Sequence, residues 1–398
     1  MSSGQRTRIL IVDDSAVMRS LVRSVVCSDS SLEVVGTAGD GESALNAMQN
    51  LRPDLVLLDV EMPVMDGVVT LRAMRSRGFK MPVIMCSSLT QRGAKVTIEA
   101  LASGASDYVT KPSGQNREDA AKALAHDLIP KIKVLTSQRG MAAAAPAGIF
   151  QGGPQTLART RVQTGTSTVG GQAPQAAVQL PKAPAITATP TLLAIGVSTG
   201  GPAALDILLP LLPATFPLPV LIVQHMPELF TKLFAERLNG RCPLQVREAA
   251  EGDLVRPGTI YIAKGNWHME ALAAARAGQP STLHLTQGPL ENHCRPAVDV
   301  LFRSAAAIWG SGVLGVILTG MGSDGMLGSK VIREQGGTIL AQDAATSAVW
   351  GMPGAVTNAG LAHKVLPLQA IAPEILRLAG RAQNEARELR ESVVQPCN

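Results

Sequence analysis

Aromatic residues are scarce in this sequence, at 3% of the chain, although hydrophobic residues of all kinds make up 46%. Aliphatic side chains must therefore fill its interior, and with 17% charged residues the composition is that of a globular protein and not of a disordered one. A chain of 398 residues is too long for one ordinary core. The composition therefore predicts two domains, each with an aliphatic core.

Cysteine is also sparse, and its spacing excludes two kinds of site. The five cysteines are odd in number, scattered, and without a C-x-x-C pair: Cys27, Cys86, Cys242, Cys294 and Cys397. This pattern argues against a disulfide framework and against a structural zinc site. It is typical of reduced thiols in a cytoplasmic protein.

Long apolar runs are absent as well. No run reaches the 18 or more residues of a membrane span, and the N-terminal stretch has no apolar segment of signal-peptide length. The net charge of +5 is modest, and no Lys/Arg cluster is interleaved with aromatics. We therefore expect a cytoplasmic chain with no membrane insertion and no nucleic-acid partner.

Acidic residues are missing from residues 129 to 205, and the stretch 140–190 is rich in Ala, Gly, Gln, Thr and Pro. Such a stretch lacks the large apolar side chains that offset the entropy of ordering a backbone. It predicts a flexible linker between the domains. The predicted boundaries are a first domain at 5–135, a linker at 136–189, a second domain at 190–385 and a tail at 386–398.

Short apolar runs alternate with amphipathic stretches in both domains. The first domain has five such runs, RILIVDD, LEVVGTA, DLVLLDV, MPVIMCSS and SDYVTKP, and the second repeats the theme with LLAIGVS, LPVLIVQHM, TIYIA, VLGVILTGM and TILAQD. Near-continuous Val/Ile/Leu runs indicate strands covered on both faces, hence parallel sheets with right-handed crossovers. The predicted fold class is α/β, with a five-stranded parallel sheet first and a doubly wound domain second.

Polar residues follow the strands of the first domain at the edge where ligands bind in such sheets. Asp13, Asp14 and Asp59 should converge there with Ser87 and Lys111. Carboxylates held together favour a hard cation such as Mg²⁺, and Asp59 could then attack a phosphoryl group to form an acyl phosphate. Taken singly, each aspartate is better explained as a strand end or a helix cap.

The whole set resembles the receiver domain of bacterial two-component response regulators over residues 6 to 130. The motifs that carry the resemblance are D-D, D-x-x-M-P-x-x-D-G, S-S and K-P, in order on successive strand ends. It implies a flavodoxin-like fold and phosphorylation by a histidine kinase. It also implies three groups of residues: the phosphoacceptor Asp59, the Mg²⁺ ligands Asp13, Asp14, Asp59 and the Glu61 carbonyl, and the switch residues Ser87, Tyr108 and Lys111.

In the second domain, the run LLAIGV ends in Ser198-Thr199-Gly200-Gly201 before Pro202. Glycines permit a sharp strand-to-helix turn, and the backbone N–H groups of Thr199 and Gly200 could point at one oxygen, as in an oxyanion hole. A nucleotide-binding loop is the competing interpretation, but neither G-x-G-x-x-G nor G-K-[ST] is present. The motif therefore favours a hydrolase.

Two further strand ends supply a histidine and an aspartate. His225 follows PVLIVQ, where its imidazole could take the Ser198 proton, and Asp324 follows VLGVILTGMGS, where it could orient His225 through Nδ1–H. Alone, Asp324 is more simply an N-cap. Other histidines, such as His126 and His284, are interpreted as surface or packing residues.

These residues carry a second resemblance, to the catalytic domain of the chemotaxis receptor methylesterases, over residues 192 to 365. Its motifs are IGVSTGGP, IVQHMPELFT, PGTIYIAKGNWHM, RPAVDVLF, ILTGMGSDGMLG and QDAATSAVWGMPGAV. The resemblance implies Ser198 as nucleophile, His225 as general base and acid, Asp324 as orienting carboxylate, and Thr199 with the Met321 backbone as site lining. It implies two substrates on chemoreceptor helices, glutamate methyl esters and glutamine amides, with no cofactor for the hydrolysis.

Phosphorylation of the first domain is expected to regulate the hydrolase, and two alternative functions stay open. The unphosphorylated receiver should pack over the edge that bears Ser198, and phosphorylation of Asp59 should loosen that contact. One alternative is a non-catalytic regulator whose second domain binds receptor or kinase. The other is the same hydrolase acting on a protein that is not a chemoreceptor. The segment KGNWHMEALAAARAGQP is interpreted as a low-information insertion between strands.

Overall fold

A computed structural model describes residues 6–112, 116–142, 188–276 and 278–393. Most of the predicted linker (136–189) lies outside the described residues, as do Cys397 and the end of the predicted tail. The predicted domain boundaries therefore stay a prediction. Among the described residues, no helix combines the length and the apolar character needed to cross a bilayer.

The N-terminal domain is built on a five-stranded parallel sheet of order β2-β1-β3-β4-β5. Its strands are β1 (Thr7–Val12), β2 (Leu32–Ala38), β3 (Leu55–Asp59), β4 (Val83–Ser87) and β5 (Asp107–Thr110). Every residue of β3 and β4 is buried, as expected of central strands covered on both faces. The predicted five-stranded parallel sheet is confirmed.

Five helices cover this sheet: α1 (Ala16–Cys27), α2 (Gly41–Leu51), α3 (Gly67–Ser76), α4 (Gln91–Ala102) and α5 (Arg117–Ala142). The first four begin at side-chain caps, which are Ser15, Asp40, Asp66 and Thr90. A capping oxygen accepts a backbone N–H that the first helical turn leaves unpaired. Helices α1 and α5 pack together on one face of the sheet, and α2, α3 and α4 follow one another on the other.

The C-terminal domain has a seven-stranded sheet of order β14-β13-β12-β6-β7-β9-β8, and all its pairings are parallel. Its strands are β6 (Leu192–Val197), β7 (Val220–Gln224), β8 (Gln245–Glu248), β9 (Thr259–Ile262), β12 (Val313–Ile317), β13 (Thr338–Gln342) and β14 (Lys364–Leu366). A separate antiparallel hairpin consists of β10 (His268–Leu272) and β11 (Thr282–Thr286). The helices are α6 (Gly201–Leu208), α7 (Glu228–Asn239), α8 (Val298–Trp309), α9 (Met326–Glu334), α10 (Met352–Asn358) and α11 (Leu368–Val393).

The hairpin corrects the interpretation of KGNWHMEALAAARAGQP as a low-information insertion. Met269 and Leu283 from its two strands are buried in the domain core, and the Ala271 N–H donates to Ser304 Oγ on α8 at 3.0 Å. The alanine-rich sequence has little β propensity, so the strand signal was weak. Packing against α8 stabilises the hairpin, although the local sequence has little preference for strands.

The two domains share an apolar contact. The ring of Tyr108, on β5, stacks on the ring of Phe230, on α7, with ring centroids 4.8 Å apart. Helix α4 packs against α6 and α7 beside this pair. The N-terminal domain therefore covers the C-terminal domain on the side where β6 and β7 end.

Candidate functional site

The turn after β6 fixes the backbone of Ser198. The Ser198 N–H donates to the Thr319 carbonyl at 3.0 Å, and the Gly201 N–H donates to the Ser198 carbonyl at 2.8 Å. Gly200 has a φ of 76°, and a Cβ at that position would lie 2.4 Å from Cβ of Ala348. Only glycine fits there, because the φ is unfavourable for other residues and the space is already filled.

Three backbone N–H groups border this turn, those of Thr199, Gly200 and Met321. Within the part of the chain that the structure describes, none of the three donates to a protein acceptor. Met321 is 36% exposed at the edge of the site. The sequence predicts Thr199 and Gly200 as oxyanion donors and the Met321 backbone as site lining, and all three N–H groups are available for a ligand oxygen.

Gln224, the last residue of β7, joins the serine turn to the histidine. Its Nε2 donates to the Ser198 carbonyl and to the His225 carbonyl, each at 3.1 Å, and its side chain is buried. A side-chain amide has two N–H donors, so one residue can hold both carbonyls. The sequence analysis did not single out Gln224, whose only signal was its place beside His225 at a strand end.

The imidazole of His225 contacts Asp324, with Nε2 and Oδ2 2.8 Å apart. The prediction that Asp324 would bind Nδ1 is wrong. Asp324 lies at the N-terminus of α8, where its carboxylate accepts the N–H groups of Val298 at 2.7 Å and Asp299 at 3.0 Å. This position brings the carboxylate to the Nε2 side of the ring, while Nδ1 faces Sγ of Cys294 at 3.6 Å.

The His225–Asp324 contact favours an ion pair. Burial opposes the charge on His225, but the hydrogen bonds to Asp324 and Cys294 outweigh it and raise its pKa to about 10. Burial also opposes the charge on Asp324, yet the contact with His225 and the helix N–H groups keep its pKa below the usual range. Helix N-termini favour anions, which is consistent with that direction.

A second buried carboxylate lies beside this pair. Asp299 accepts the Gly328 N–H at 2.6 Å, and Asn292 Nδ2 lies 2.9 Å from both Asp299 Oδ2 and Asp324 Oδ1. Burial, with the charge of Asp324, raises the pKa of Asp299. Asn292 has a left-handed backbone with φ of 51°. Neither residue was predicted, because nothing in RPAVDVLF or in an isolated asparagine indicates a bridge to Asp324.

Ser198, His225 and Asp324 follow three adjacent strands, since β12, β6 and β7 are neighbours in the sheet. Ser198 and His225 line one cavity of about 740 Å³, together with Cys294 and Met321. Among the described residues, no hydrogen bond joins Ser198 Oγ to His225. The serine and the imidazole share the cavity, and Asp324 contacts the imidazole on its Nε2 side.

The acidic residues predicted in the N-terminal domain also come together. Lys111 Nζ lies 2.7 Å from Asp13 Oδ2 and 2.7 Å from Asp59 Oδ1. Carboxylate oxygens of Asp13, Asp14 and Asp59 lie within 4.8 Å of one another. Burial and the charge of Asp13 raise the pKa of Asp59 to about 6, against the opposing effect of Lys111. A clustered set of hard oxygen ligands fits Mg²⁺.

The other residues predicted for this domain, Glu61, Ser87 and Tyr108, make different contacts. The Glu61 N–H donates to Asp59 Oδ1 at 3.3 Å, which places the backbone of Glu61 at the acidic site. Ser87, at the end of β4, accepts the Thr97 hydroxyl at 2.7 Å. Tyr108 is buried against Phe230 of the other domain, so it links the receiver to the second domain.

A polar contact crosses the domain boundary at the serine turn. Thr199 Oγ1 donates to Asp107 Oδ2 at 2.8 Å, and both side chains are buried. Lys131 Nζ lies 3.9 Å from the same carboxylate and donates to the Tyr108 carbonyl at 2.8 Å. Asp107, Tyr108 and Lys131 also line the Ser198 cavity. The N-terminal domain therefore forms one wall of the site.

Comparison with known proteins identifies both domains. Residues 193–375 match the CheB methylesterase family model, and residues 9–123 match the response regulator receiver domain model. A protein-glutamate methylesterase/protein-glutamine glutaminase of Nocardioides sp. is 50% identical, covering 94% of this chain and 96% of that protein. The protein of the same name from Trichodesmium erythraeum is 45% identical, covering 94% of this chain and 99% of that protein.

A solved structure is similar to part of the chain. The crystal structure of the Thermotoga maritima CheB methylesterase catalytic domain is 42% identical, with a TM-score of 0.46, and covers 48% of this chain and 99% of that one. The curated relatives match along nearly their whole length, receiver and catalytic domain together. This chain therefore belongs to the CheB methylesterase family and carries a response regulator receiver domain ahead of its catalytic domain.

Proposed function

We propose that the chain is a phosphorylation-regulated serine hydrolase that demethylates glutamate methyl esters and deamidates glutamines on chemoreceptors. The observation that carries the chemistry is the His225–Asp324 contact beside Ser198 in one cavity. Relatives at 45–50% identity bear the name of these two activities. The substrate helices and the kinase would place its action in the cytoplasm.

Ser198 is the proposed nucleophile and His225 its general base. Because Nε2 of His225 is engaged by Asp324, Nδ1 is the nitrogen left to take the proton of Ser198 Oγ. Asp324 holds the ring and stabilises the imidazolium that forms. Its five hydrogen-bond contacts keep the carboxylate fixed while the imidazole gains and returns a proton.

The acyl transfer then proceeds in two steps. Ser198 Oγ attacks the ester carbonyl, whose oxygen becomes an anion facing the N–H groups of Thr199, Gly200 and Met321. His225 gives its proton to the departing methoxide, and methanol leaves. The same imidazole then activates water, which releases glutamate from the acyl-enzyme. A glutamine amide follows the same course with loss of ammonia, a poorer leaving group, so we expect the esterase to be faster.

The receiver controls access to this site. A histidine kinase would phosphorylate Asp59 with Mg²⁺ held by Asp13, Asp14 and the Glu61 carbonyl, and the ion would neutralise charge on the phosphoryl group. The new charge would draw in Ser87 and Lys111. Tyr108 and Asp107 lie on β5, directly before Lys111, and both contact the catalytic domain. A shift of this segment would loosen the cover over Ser198.

The experiment that tests the chemistry is Ser198→Ala. We expect the rate of methanol release from methylated receptor membranes to fall until it is only roughly 10³- to 10⁴-fold above the uncatalysed rate in water. That residual acceleration is what oxyanion donors and binding alone supply. Phosphorylation of Asp59 by a small-molecule phosphodonor should be unchanged. The matched control is Ser311→Ala, an exposed serine before β12.

Three outcomes separate the alternatives. Normal turnover in Ser198→Ala would remove Ser198 from the mechanism. Absence of methanol and ammonia release from the wild-type chain, with intact binding to receptor or kinase, would support a non-catalytic regulator. Hydrolysis of model methyl esters without hydrolysis of receptor would indicate the same hydrolase acting on another protein.

A further inference from the structure

A tight turn holds Cys294 beside the active-site imidazole. Glu291 and Cys294 exchange two backbone hydrogen bonds, of 3.1 and 2.9 Å, around Asn292 and His293. These two central residues have φ values of 51° and 62°, the pattern of a type I′ turn. Arg303 on α8 binds both carboxylate oxygens of Glu291, at 2.5 and 2.7 Å, so the turn is anchored to the helix.

The thiol faces the nitrogen that the proposed mechanism uses. Sγ of Cys294 is 3.6 Å from Nδ1 of His225, and the other ring nitrogen is held by Asp324. The three side chains thus form a cysteine–histidine–aspartate series, and Cys294 lines the cavity that contains Ser198. An adjacent imidazole able to exchange the thiol proton activates a cysteine as a nucleophile.

The other described cysteines lack such a partner. Cys86 is buried at the end of β4, and burial raises its pKa to about 12. Burial and the charge of Asp206 raise the pKa of Cys242 to about 11. Cys27 is exposed at the end of α1. Cys294 is therefore the described thiol that has an imidazole beside it in a cavity, whereas thiol protonation suppresses attack by Cys86 and Cys242.

We propose that Cys294 is an oxidant-sensitive modification site, at which peroxides reversibly switch off the hydrolase. The sulfur attacks one peroxide oxygen, so that an S–O bond forms as the O–O bond breaks. Sulfur loses two electrons, and the departing hydroxide takes the thiol proton and leaves as water. The product is a sulfenic acid, which thiol reductants return to the thiol. Its added oxygen lies against Nδ1 of His225 and takes the space through which the Ser198 proton must pass.

Sulfenic-acid labelling of the full-length wild-type chain tests the site itself. After hydrogen peroxide treatment, a dimedone probe should label Cys294 about tenfold or more faster than Cys242, as judged by peptide mass spectrometry. Replacing the imidazole with His225→Asn should remove most of this difference. These readouts need no hydrolase activity, so they stand or fall separately from the proposed function. Equal labelling of Cys294 and Cys242 in the wild type would overturn the proposal.

The consequence for activity rests on the proposed function and is measured as the rate that remains after peroxide, relative to the same untreated protein. The wild type and the matched control Cys242→Ser should each lose at least about tenfold in methanol release and recover with dithiothreitol. Cys294→Ser and Cys294→Ala should keep their own untreated rates. Equal losses in the Cys294 variants would overturn the switch and point to oxidation elsewhere, with Met321 in the same cavity as the first residue to check.

Discussion

The two ring nitrogens of His225 face different chemistry. Asp324 holds Nε2 from the N-terminus of α8, and Nδ1 faces the cavity with Cys294 and Ser198. The pKa of about 10 for His225 means that the ring carries a proton at neutral pH in this arrangement. A general base must be neutral, so the rate should rise as pH increases toward that value.

Replacing Asp324 tests this pairing. In Asp324→Asn we expect kcat to fall by roughly 10⁴-fold, since the ring loses the carboxylate that stabilises its protonated form. The pKa of His225 should fall with loss of the anion, so the acid limb of the pH–rate profile should move to lower pH. NMR titration of the imidazole measures the pKa directly.

The matched control is Asp343→Asn, which alters a carboxylate after the neighbouring strand β13 that accepts hydrogen bonds from the N–H and hydroxyl of Thr346 in its own turn. That variant should keep the acid limb of the pH–rate profile at the wild-type pH.

The raised pKa also stabilises the fold while His225 is protonated. Its contribution is fully present below the ordinary pKa of about 6.5 and is lost as pH rises through about 10. An unchanged His225 titration in Asp324→Asn would contradict the pairing.

Asp59 provides a second prediction at the scale of single residues. Burial raises its pKa to about 6, and only the ionised carboxylate attacks a phosphodonor. Without added metal, phosphorylation by acetyl phosphate should weaken as pH falls through about 6. Mg²⁺ should increase the rate of phosphorylation and move the loss of rate to lower pH. A cation among Asp13, Asp14 and Asp59 favours the ionised form of Asp59. Phosphorylation that is insensitive to a chelator at every pH would contradict the metal site.

The turn between β6 and α6 is the element on which the site depends most. Gly200 and Gly252 have the same φ of 76°, but a Cβ would clash with Ala348 at Gly200 and meet nothing within 4 Å at Gly252. Both alanine variants incur the cost of a left-handed backbone, roughly 1–2 kcal/mol. Gly200→Ala must in addition move the N–H groups that face the proposed oxyanion.

We therefore expect Gly200→Ala to lose roughly 10²- to 10³-fold in kcat, the effect of losing one oxyanion donor, while Gly252→Ala keeps wild-type activity. Chemical denaturation of the two variants separates strain from catalysis. If both variants lost stability equally and both retained turnover, the turn would not position the donors.

The same elements show what sequence could and could not predict. Long Val/Ile/Leu runs predicted the central strands, because strands buried on both faces need no other signal, and the residues after β6, β7 and β12 came together as neighbouring strand ends. The approach of Asp324 to Nε2 was not predictable, because it depends on where α8 begins. Asn292 and Cys294 reach the site because Arg303 anchors their turn through Glu291. No sequence motif indicates this contact between a turn and a helix.

At the scale of the whole molecule, the receiver and the active site meet at Asp107. The residue after the proposed nucleophile, Thr199, donates its hydroxyl to this buried carboxylate, and the neighbouring Tyr108 ring stacks on Phe230. Burial raises the pKa of Asp107, and Lys131 opposes that shift. Because this contact lies one residue from Ser198, we expect a shift of β5 to change access of substrate to the site.

Removing the carboxylate should weaken the cover without touching the catalytic domain. Leaving the buried Thr199 hydroxyl without its acceptor costs about 1–3 kcal/mol, so Asp107→Ala should shift the balance from covered to open by roughly 10- to 100-fold. Methanol release without phosphodonor should rise toward the phosphorylated rate, while the phosphorylated rate itself changes little. The matched control is Asp127→Asn, which also pairs with Lys131, at 2.8 Å, whereas the Thr199 hydroxyl donates to Asp107. Because Asp127 is half exposed, its variant should keep the low basal rate. A basal rate that stays low in Asp107→Ala, or that rises equally in both variants, would mean that the Thr199 contact does not hold the receiver over the site.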